Sequence, residues 1–124
     1  MQKDRKYIFL NSKEILSKKY LSNFINLIHR RKKGEPVAYL TNFKEFWKQK
    51  YFVNKDVLIP RPDSEILIEE TLSMYSKEKR LKMLDIGTGS GCLLLSILKE
   101  RKNFLGIGID ISKKALNVAR FNAK

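Results

Sequence analysis

Two features of the chain have residue types and spacing that could do chemistry: the run Gly87-Thr88-Gly89-Ser90-Gly91, and a single acid beyond it, Asp110. A glycine-rich turn between a strand and a helix lets the backbone approach a ligand closely, with the helix N–H groups facing it. An acid at the end of the next strand can accept hydrogen bonds from both hydroxyls of a ribose. Asp110 lies 19 residues after Gly91, about where that geometry puts it. Taken singly, each glycine reads as a tight turn and Asp110 as a helix-capping acid. As an ordered set they point to a ligand with an adenosine-type ribose. The run is not a dinucleotide fingerprint, because the last position of G-x-G-x-x-G/A is occupied by Cys92. Nor is it a P-loop, since no Gly-Lys-Ser/Thr follows it.

These residues need elements to hold them. Residues 81–86 read as a buried strand, and after the glycines an apolar helix runs from Cys92 to about Lys99. Residues 104–109 form a second strand that ends at Asp110. Ser112 can cap a final helix carrying Ala115, Leu116, Val118, Ala119 and Phe121. The order strand, glycine turn, helix, strand, acid, helix is the beginning of a parallel α/β sheet. Upstream, the spacing of Tyr20, Leu21, Phe24, Ile25, Leu27 and Ile28 predicts a helix over about 17–33. Asn11, Ser12 and Ser17 are alternative caps for its start, and Gly34 supplies the stop. Between residues 41 and 59 the aromatic and β-branched residues, broken by Lys-Gln-Lys and Asn-Lys-Asp, predict a β-hairpin or a pair of short strands. Pro60-Arg61-Pro62 stiffens the chain, and Asp63 or Ser64 can cap a helix running to about Ser76. A basic connector, residues 77–82, follows.

Composition excludes several classes. With 124 residues the chain suits one domain, or a small domain and part of another, and its 43% hydrophobic content is that of a globular protein. No apolar run approaches the roughly 20 residues that cross a bilayer. The first residues hold too short an apolar stretch for a secretory signal, so a cytoplasmic location is expected by default. Cys92 is the sole cysteine, which leaves no internal disulfide and no cysteine-based metal site. His29 is the sole histidine and reads as surface or packing, so no metal is expected. The net charge is +13, with 15 Lys/Arg against 5 Asp/Glu in residues 1–62. Such a front end reads either as a surface for RNA or an acidic protein, or as a solvated lysine-rich face; the second reading is preferred. Arg30, Arg31, Lys32 and Lys33 make the best patch, at a helix end where cations suit the macrodipole anyway.

The run Asp85-Ile86-Gly87-Thr88-Gly89-Ser90-Gly91 resembles the first motif of class I methyltransferases. Three earlier motifs narrow the likeness: Arg30-Arg31 with Gly34-Glu35-Pro36-Val37-Ala38-Tyr39-Leu40, then Lys44-Glu45-Phe46-Trp47, then Val57-Leu58-Ile59-Pro60-Arg61-Pro62-Asp63-Ser64-Glu65. In this order they resemble the HemK/PrmC family, and Asn117, Ala119, Arg120, Asn122 and Ala123 resemble the helix after the ribose acid. The resemblance implies an α/β fold: the start of a class I, Rossmann-like methyltransferase domain, preceded by a helix and a β-hairpin linker. It implies residues 1–40 as part of a helical amino-terminal domain, 41–62 as the linker and 63–124 as the first part of the methyltransferase domain. It further implies transfer of a methyl group from S-adenosyl-L-methionine to the Gly-Gly-Gln glutamine of a peptide chain release factor. Gly87, Thr88, Gly89, Ser90, Gly91 and Asp110 would contact the cofactor. Leu58, Pro60 and Arg61 would lie on a loop beside the active site, as substrate contacts or as rigid hinge.

One departure is plain. The family's Asn-Pro-Pro-Tyr motif, which orients the substrate amide, does not occur, the prolines being Pro36, Pro60 and Pro62. No catalytic residue is therefore assigned, and the expectation is a fragment at both ends, inactive alone, whose partners are a release factor and a missing C-terminal half, with no membrane and no required nucleic acid. The alternatives are a fragment of a nucleic-acid amino-methyltransferase and a non-catalytic remnant or binding module. With two strands, Leu93, Leu94, Leu95, Ile97, Ile107 and Ile109 are expected to lose packing, leaving marginal stability or self-association.

Overall fold

In the computed structural model residues 5–124 are described, and the chain parts into two compact units between Leu40 and Thr41. The first unit holds a short helix α1 (Arg5–Leu10), the longer α2 (Lys18–Lys32) and most of α3 (Val37–Thr41). The helix over residues 17–33 is thus borne out to within a residue at each end, while α1 and α3 lacked a clear period in the sequence. Ser17 occupies the N-cap of α2 with extended backbone, yet its side chain makes no capping bond. Gly34 stops the helix with φ +90°, a conformation that costs a residue without Cβ little. Arg30 grips Glu35 through two bonds, Nε to Oε2 at 2.8 Å and a second from its terminal nitrogen to Oε1. Arg31 also donates to the Glu35 carbonyl at 3.2 Å, so two members of the basic cluster are already engaged.

The second unit runs β1 (Phe43–Phe46), β2 (Gln49–Phe52), α4 (Glu65–Met74), β3 (Lys82–Ile86), α5 (Cys92–Glu100), β4 (Leu105–Ile109) and α6 (Lys113–Asn122). β1 and β2 form an antiparallel hairpin with Phe43 opposite Phe52 and Phe46 opposite Gln49. Its two-residue turn is Trp47-Lys48, with φ +46° and +59°. Such primed turns match the strand twist but favour Asn-Gly, so Trp and Lys there carry strain. The compensation is visible: the Trp47 N–H donates to Glu65 Oε1 at 2.8 Å, and its indole Nε1 donates to Glu100 Oε1 at 3.1 Å. A 3-10 turn, Pro62–Ser64, leads into α4, and Ser64 makes no side-chain capping bond. The opposite end of α4 is closed by Arg101, a buried side chain that donates from Nε to the Tyr75 carbonyl at 2.9 Å and from a terminal nitrogen to the Leu72 carbonyl. A cation at a helix C-terminus also opposes the negative end of the macrodipole.

β3 and β4 are parallel, with Lys82 opposite Leu105 and Ile86 opposite Ile109. One face of this pair turns to α5: a Cβ placed on Gly106 would lie 2.7 Å from Leu94 Cδ1. The core lies on this side, where Phe46, Tyr51, Ile68, Cys92, Ile97 and Phe104 meet from the hairpin, α4, α5 and the segment before β4. Residues of the other parity, Leu84, Ile86, Leu105, Ile107 and Ile109, are exposed, Ile107 at 66%. The expectation of lost packing thus holds for Ile107 and Ile109. It fails for Leu94 and Ile97, which are buried.

Burial on one face only sets a sharp contrast between two isoleucines. Ile68→Ala, at a fully buried site, is expected to lose about 2–5 kcal/mol in denaturant unfolding. Ile107→Ser is expected to stay within about 0.5 kcal/mol and to reduce self-association in sedimentation. Equal losses from both would contradict the assignment of the bare face.

Candidate functional site

The glycine turn and the acid do meet. β3 ends at Ile86, and the next two backbone N–H groups, of Gly87 and Thr88, both donate to the Ile109 carbonyl at 2.9 Å. The loop thereby continues the hydrogen bonding of the sheet past its last pair. Gly87, Gly89 and Gly91 have φ of +77°, +54° and +79°, so three alternate residues take a backbone that side chains disfavour. A Cβ would find open space at Gly87, whereas at Gly91 it would press on Leu95 Cδ1 at 3.2 Å and Ala119 Cβ at 3.4 Å. Gly87 is thus selected by its dihedral alone, and Gly91 by its dihedral and by close helix packing. Gly91 is also the N-cap of α5.

Asp110 sits between loop and helix. Its Oδ2 accepts from the Gly89 N–H and its Oδ1 from the Ser112 N–H, each at 2.9 Å. Those bonds, Ser112's first and Gly89's next, hold its carboxyl below the ordinary aspartate value. A carboxylate offers about four lone-pair directions, so acceptor capacity for two hydroxyls remains. Ser112 in turn caps α6 by accepting the Ala115 N–H on its side chain at 3.2 Å, as its sequence position predicts.

The remaining loop residues behave differently. Thr88 and Ser90 are buried, Ser90 at 3% exposure, so their side chains serve the interior. Thr88 Oγ1 donates to Asp85 Oδ2 at 2.7 Å, which gives the acid before the glycines a structural task. Gly108, opposite Asp85 in the neighbouring strand, makes this possible: a Cβ there would stand 2.7 Å from Thr88 Oγ1 and 3.0 Å from its Cβ. Sequence reading passed over Gly106 and Gly108, although a glycine inside a strand pattern is itself a sign of close approach. Cys92 opens α5 buried, and burial pushes its thiol up, away from the reactive thiolate. Of the residues that the resemblance assigned to a substrate-side loop, Leu58 and Arg61 are exposed while Pro60 is buried. His29 is exposed, and among the described residues no cluster of His, Cys, Asp or Glu could hold a metal.

A cleft of about 430 Å³ opens between α5, β4 and α6, lined by Thr88, Gly91, Gly108, Leu116 and Arg120 among others. Gly87, Gly89 and Asp110 are outside its lining. The cleft thus shares Thr88 and Gly91 with the loop, while Gly87, Gly89 and Asp110 lie on a surface outside it.

Comparison with known proteins bears on the fold and the family. Residues 1–41 match the family model described as PrmC N-terminal domain, and residues 77–124 match a methyltransferase domain model. Proteins named release factor glutamine methyltransferase are similar along most of the chain. The one from Buchnera aphidicola of Acyrthosiphon pisum is 44% identical over 119 residues, covering 96% of this chain and 43% of the relative. That of Caulobacter vibrioides is 43% identical, covering 87% and 37%. That of Coxiella burnetii is 44% identical, covering 94% and 40%. The chain thus spans about two fifths of the length of these relatives. Fold and loop together define the beginning of a Rossmann-like methyltransferase domain. Within that class, the chain belongs to the PrmC family, the family of the release factor glutamine methyltransferases.

Two outcomes test the geometry. Gly108→Ala is expected to cost about 1–3 kcal/mol in thermal unfolding, because Thr88 is pinned by Asp85; Gly106→Ala meets the Leu94 and Leu98 side chains, which no hydrogen bond pins, and costs less. The reverse order would contradict the packing described. For Asp110, a carboxyl titrating below its unfolded value of about 3.9 stabilises the folded state above that pH, and the contribution is lost as pH falls through the folded value. Carbon NMR of the Asp110 carboxyl is expected to give a midpoint below that of an unfolded aspartate; one at or above it would remove the two N–H bonds from the account.

Proposed function

We propose that the chain provides the cofactor-binding part of a release factor glutamine N5-methyltransferase that uses S-adenosyl-L-methionine. The observation that carries this is the Asp110 carboxylate, held at the lip of a glycine loop with acceptor capacity to spare. The donor set suits the ligand. Gly87 and Gly89 present backbone with almost nothing where a Cβ would stand, and the methionine end of the cofactor is a zwitterion that needs backbone and side-chain partners rather than a phosphate cradle. In this reading Gly87, Thr88, Gly89, Ser90 and Gly91 meet the methionine portion, with Thr88 and Ser90 acting through backbone. Asp110 receives the ribose hydroxyls. When bound, the cofactor supplies an electrophilic sulfonium methyl.

Residues 1–40 would form part of the helical amino-terminal domain, 41–62 the hairpin linker, and 63–124 the first part of the catalytic domain. Exposed Leu58 and Arg61 would border the protein substrate, a release factor in the cytoplasm, while buried Pro60 fixes their segment. Methylating a glutamine amide depends mainly on orientation. Two acceptors must hold the amide protons so that the nitrogen lone pair points at the methyl. The Asn-Pro-Pro-Tyr sequence that does this in the family does not occur in these 124 residues. Methyl transfer would thus require a further polypeptide segment to supply it.

Calorimetric titration with S-adenosylhomocysteine tests the reading. The chain is expected to bind it saturably, and Asp110→Ala to weaken binding by at least about tenfold, the scale of a hydrogen bond to a charged group. A folded chain with no binding would overturn the reading.

A further inference from the structure

Two peptide groups of the glycine loop are each held by one side chain. The Thr88–Gly89 peptide is held through its N–H by Asp110, at the start of the segment leading into α6. The Ser90–Gly91 peptide is held through its carbonyl by Asn122, the last residue of α6, whose Nδ2 donates to the Ser90 oxygen at 2.8 Å. The same Nδ2 donates to the Phe52 carbonyl at 3.0 Å, and Asn122 Oδ1 accepts the Phe52 N–H at 2.8 Å. Asn122 thus pairs with the last residue of β2 as a neighbouring strand would, and uses its second amide proton on the loop. Both donors are committed. Turning the amide over would set its NH2 group against the Phe52 N–H, so chemistry allows one orientation.

The geometry points to Asn122 as a positioning residue that sets the glycine loop against the hairpin. The loop residues are otherwise tied to β3, β4 and α5, and the hairpin reaches α5 through the Tyr51 hydroxyl on Ser96 Oγ at 2.7 Å. Asn122 bonds both loop and hairpin at once. By holding the Ser90 carbonyl it fixes the plane of the peptide whose N–H, at Gly91, closes the loop on the Thr88 carbonyl at 2.8 Å. Packing keeps the register: Ala119 meets Gly91, and the Phe121 ring lies 4.9 Å from that of Phe52. The effect on ligand affinity rests on the cofactor reading above, whereas the effect on the loop does not.

Amide exchange of the full chain separates the two. Asn122→Asp keeps an acceptor for the Phe52 N–H but turns a carboxylate toward two carbonyls. Exchange at Phe52 and Gly91 is expected to rise about tenfold relative to Gly87 and Thr88, whose acceptor is the Ile109 carbonyl. Asn122→Ser serves in its place if the aspartate variant does not fold. Phe121→Leu, which loosens the aromatic packing without touching the amide, is expected to leave Gly91 unchanged relative to Gly87. Uniform acceleration, or none, would overturn the proposal. S-adenosylhomocysteine affinity is expected to fall about tenfold in Asn122→Asp, and an unchanged affinity in a chain that binds would overturn it too. If the unmodified chain binds no ligand, the cofactor reading falls and the exchange comparison still decides the role of Asn122.

Discussion

Asp110 ends β4 with a carboxylate that accepts one N–H from the glycine loop, at Gly89, and one from the approach to α6, at Ser112. Strand, loop and helix meet at this group, and each needs it for a different reason. The loop's backbone alternates through positive φ at Gly87, Gly89 and Gly91, and the Gly89 N–H, outside the sheet ladder, needs a partner of its own. The start of α6 has free N–H groups of its own. A single negative charge answers both. Because these bonds favour the ionised form, the site keeps its charge to lower pH than an ordinary aspartate would.

The hairpin belongs to the same compact unit as this site, and specific bonds explain why. Trp47 and Lys48 occupy a left-handed turn that costs roughly 1–2 kcal/mol per residue. Glu65 on α4 and Glu100 on α5 take the two Trp47 donors, and a hydrogen bond to a charged group contributes about 1.5–3 kcal/mol when shielded, less when exposed. Phe46 and Tyr51 then enter the core with Ile68 and Ile97. Strain in the turn is offset by anchoring that spans α4 and α5, so the hairpin's position is coupled to the helices that carry the loop.

Much of this was legible in the sequence because it depends on periodicity and on residues with one dominant use. The βαβα order, the meeting of the loop with Asp110 and the Ser112 cap all followed from glycines, an acid and alternating apolar runs. The rest depends on partners distant in sequence. Nothing local to Asn122 signals Phe52, 70 residues earlier. Nothing local to Arg101 signals the carbonyls of Leu72 and Tyr75. Gly106 and Gly108 did carry a local sign, glycine within a strand, but its meaning required knowing that Leu94 and Thr88 stand against them. The expected loss of packing at Leu94 and Ile97 was wrong for a related reason. α5 covers the inner side of the sheet and is itself covered by α4 and the hairpin, and only the outer face, with Ile107 and Ile109, is bare.

The central claim is that a ligand is taken by the glycine loop and its acid, not by the cleft between α5, β4 and α6. Nitrogen-edited NMR of the labelled chain during addition of S-adenosylhomocysteine addresses that directly. The account predicts that amide signals of Gly87, Gly89 and Asp110 move in proportion to occupancy while those of Leu98, Leu116 and Ala123, which line the cleft, stay in place. Movement confined to the cleft residues would contradict it.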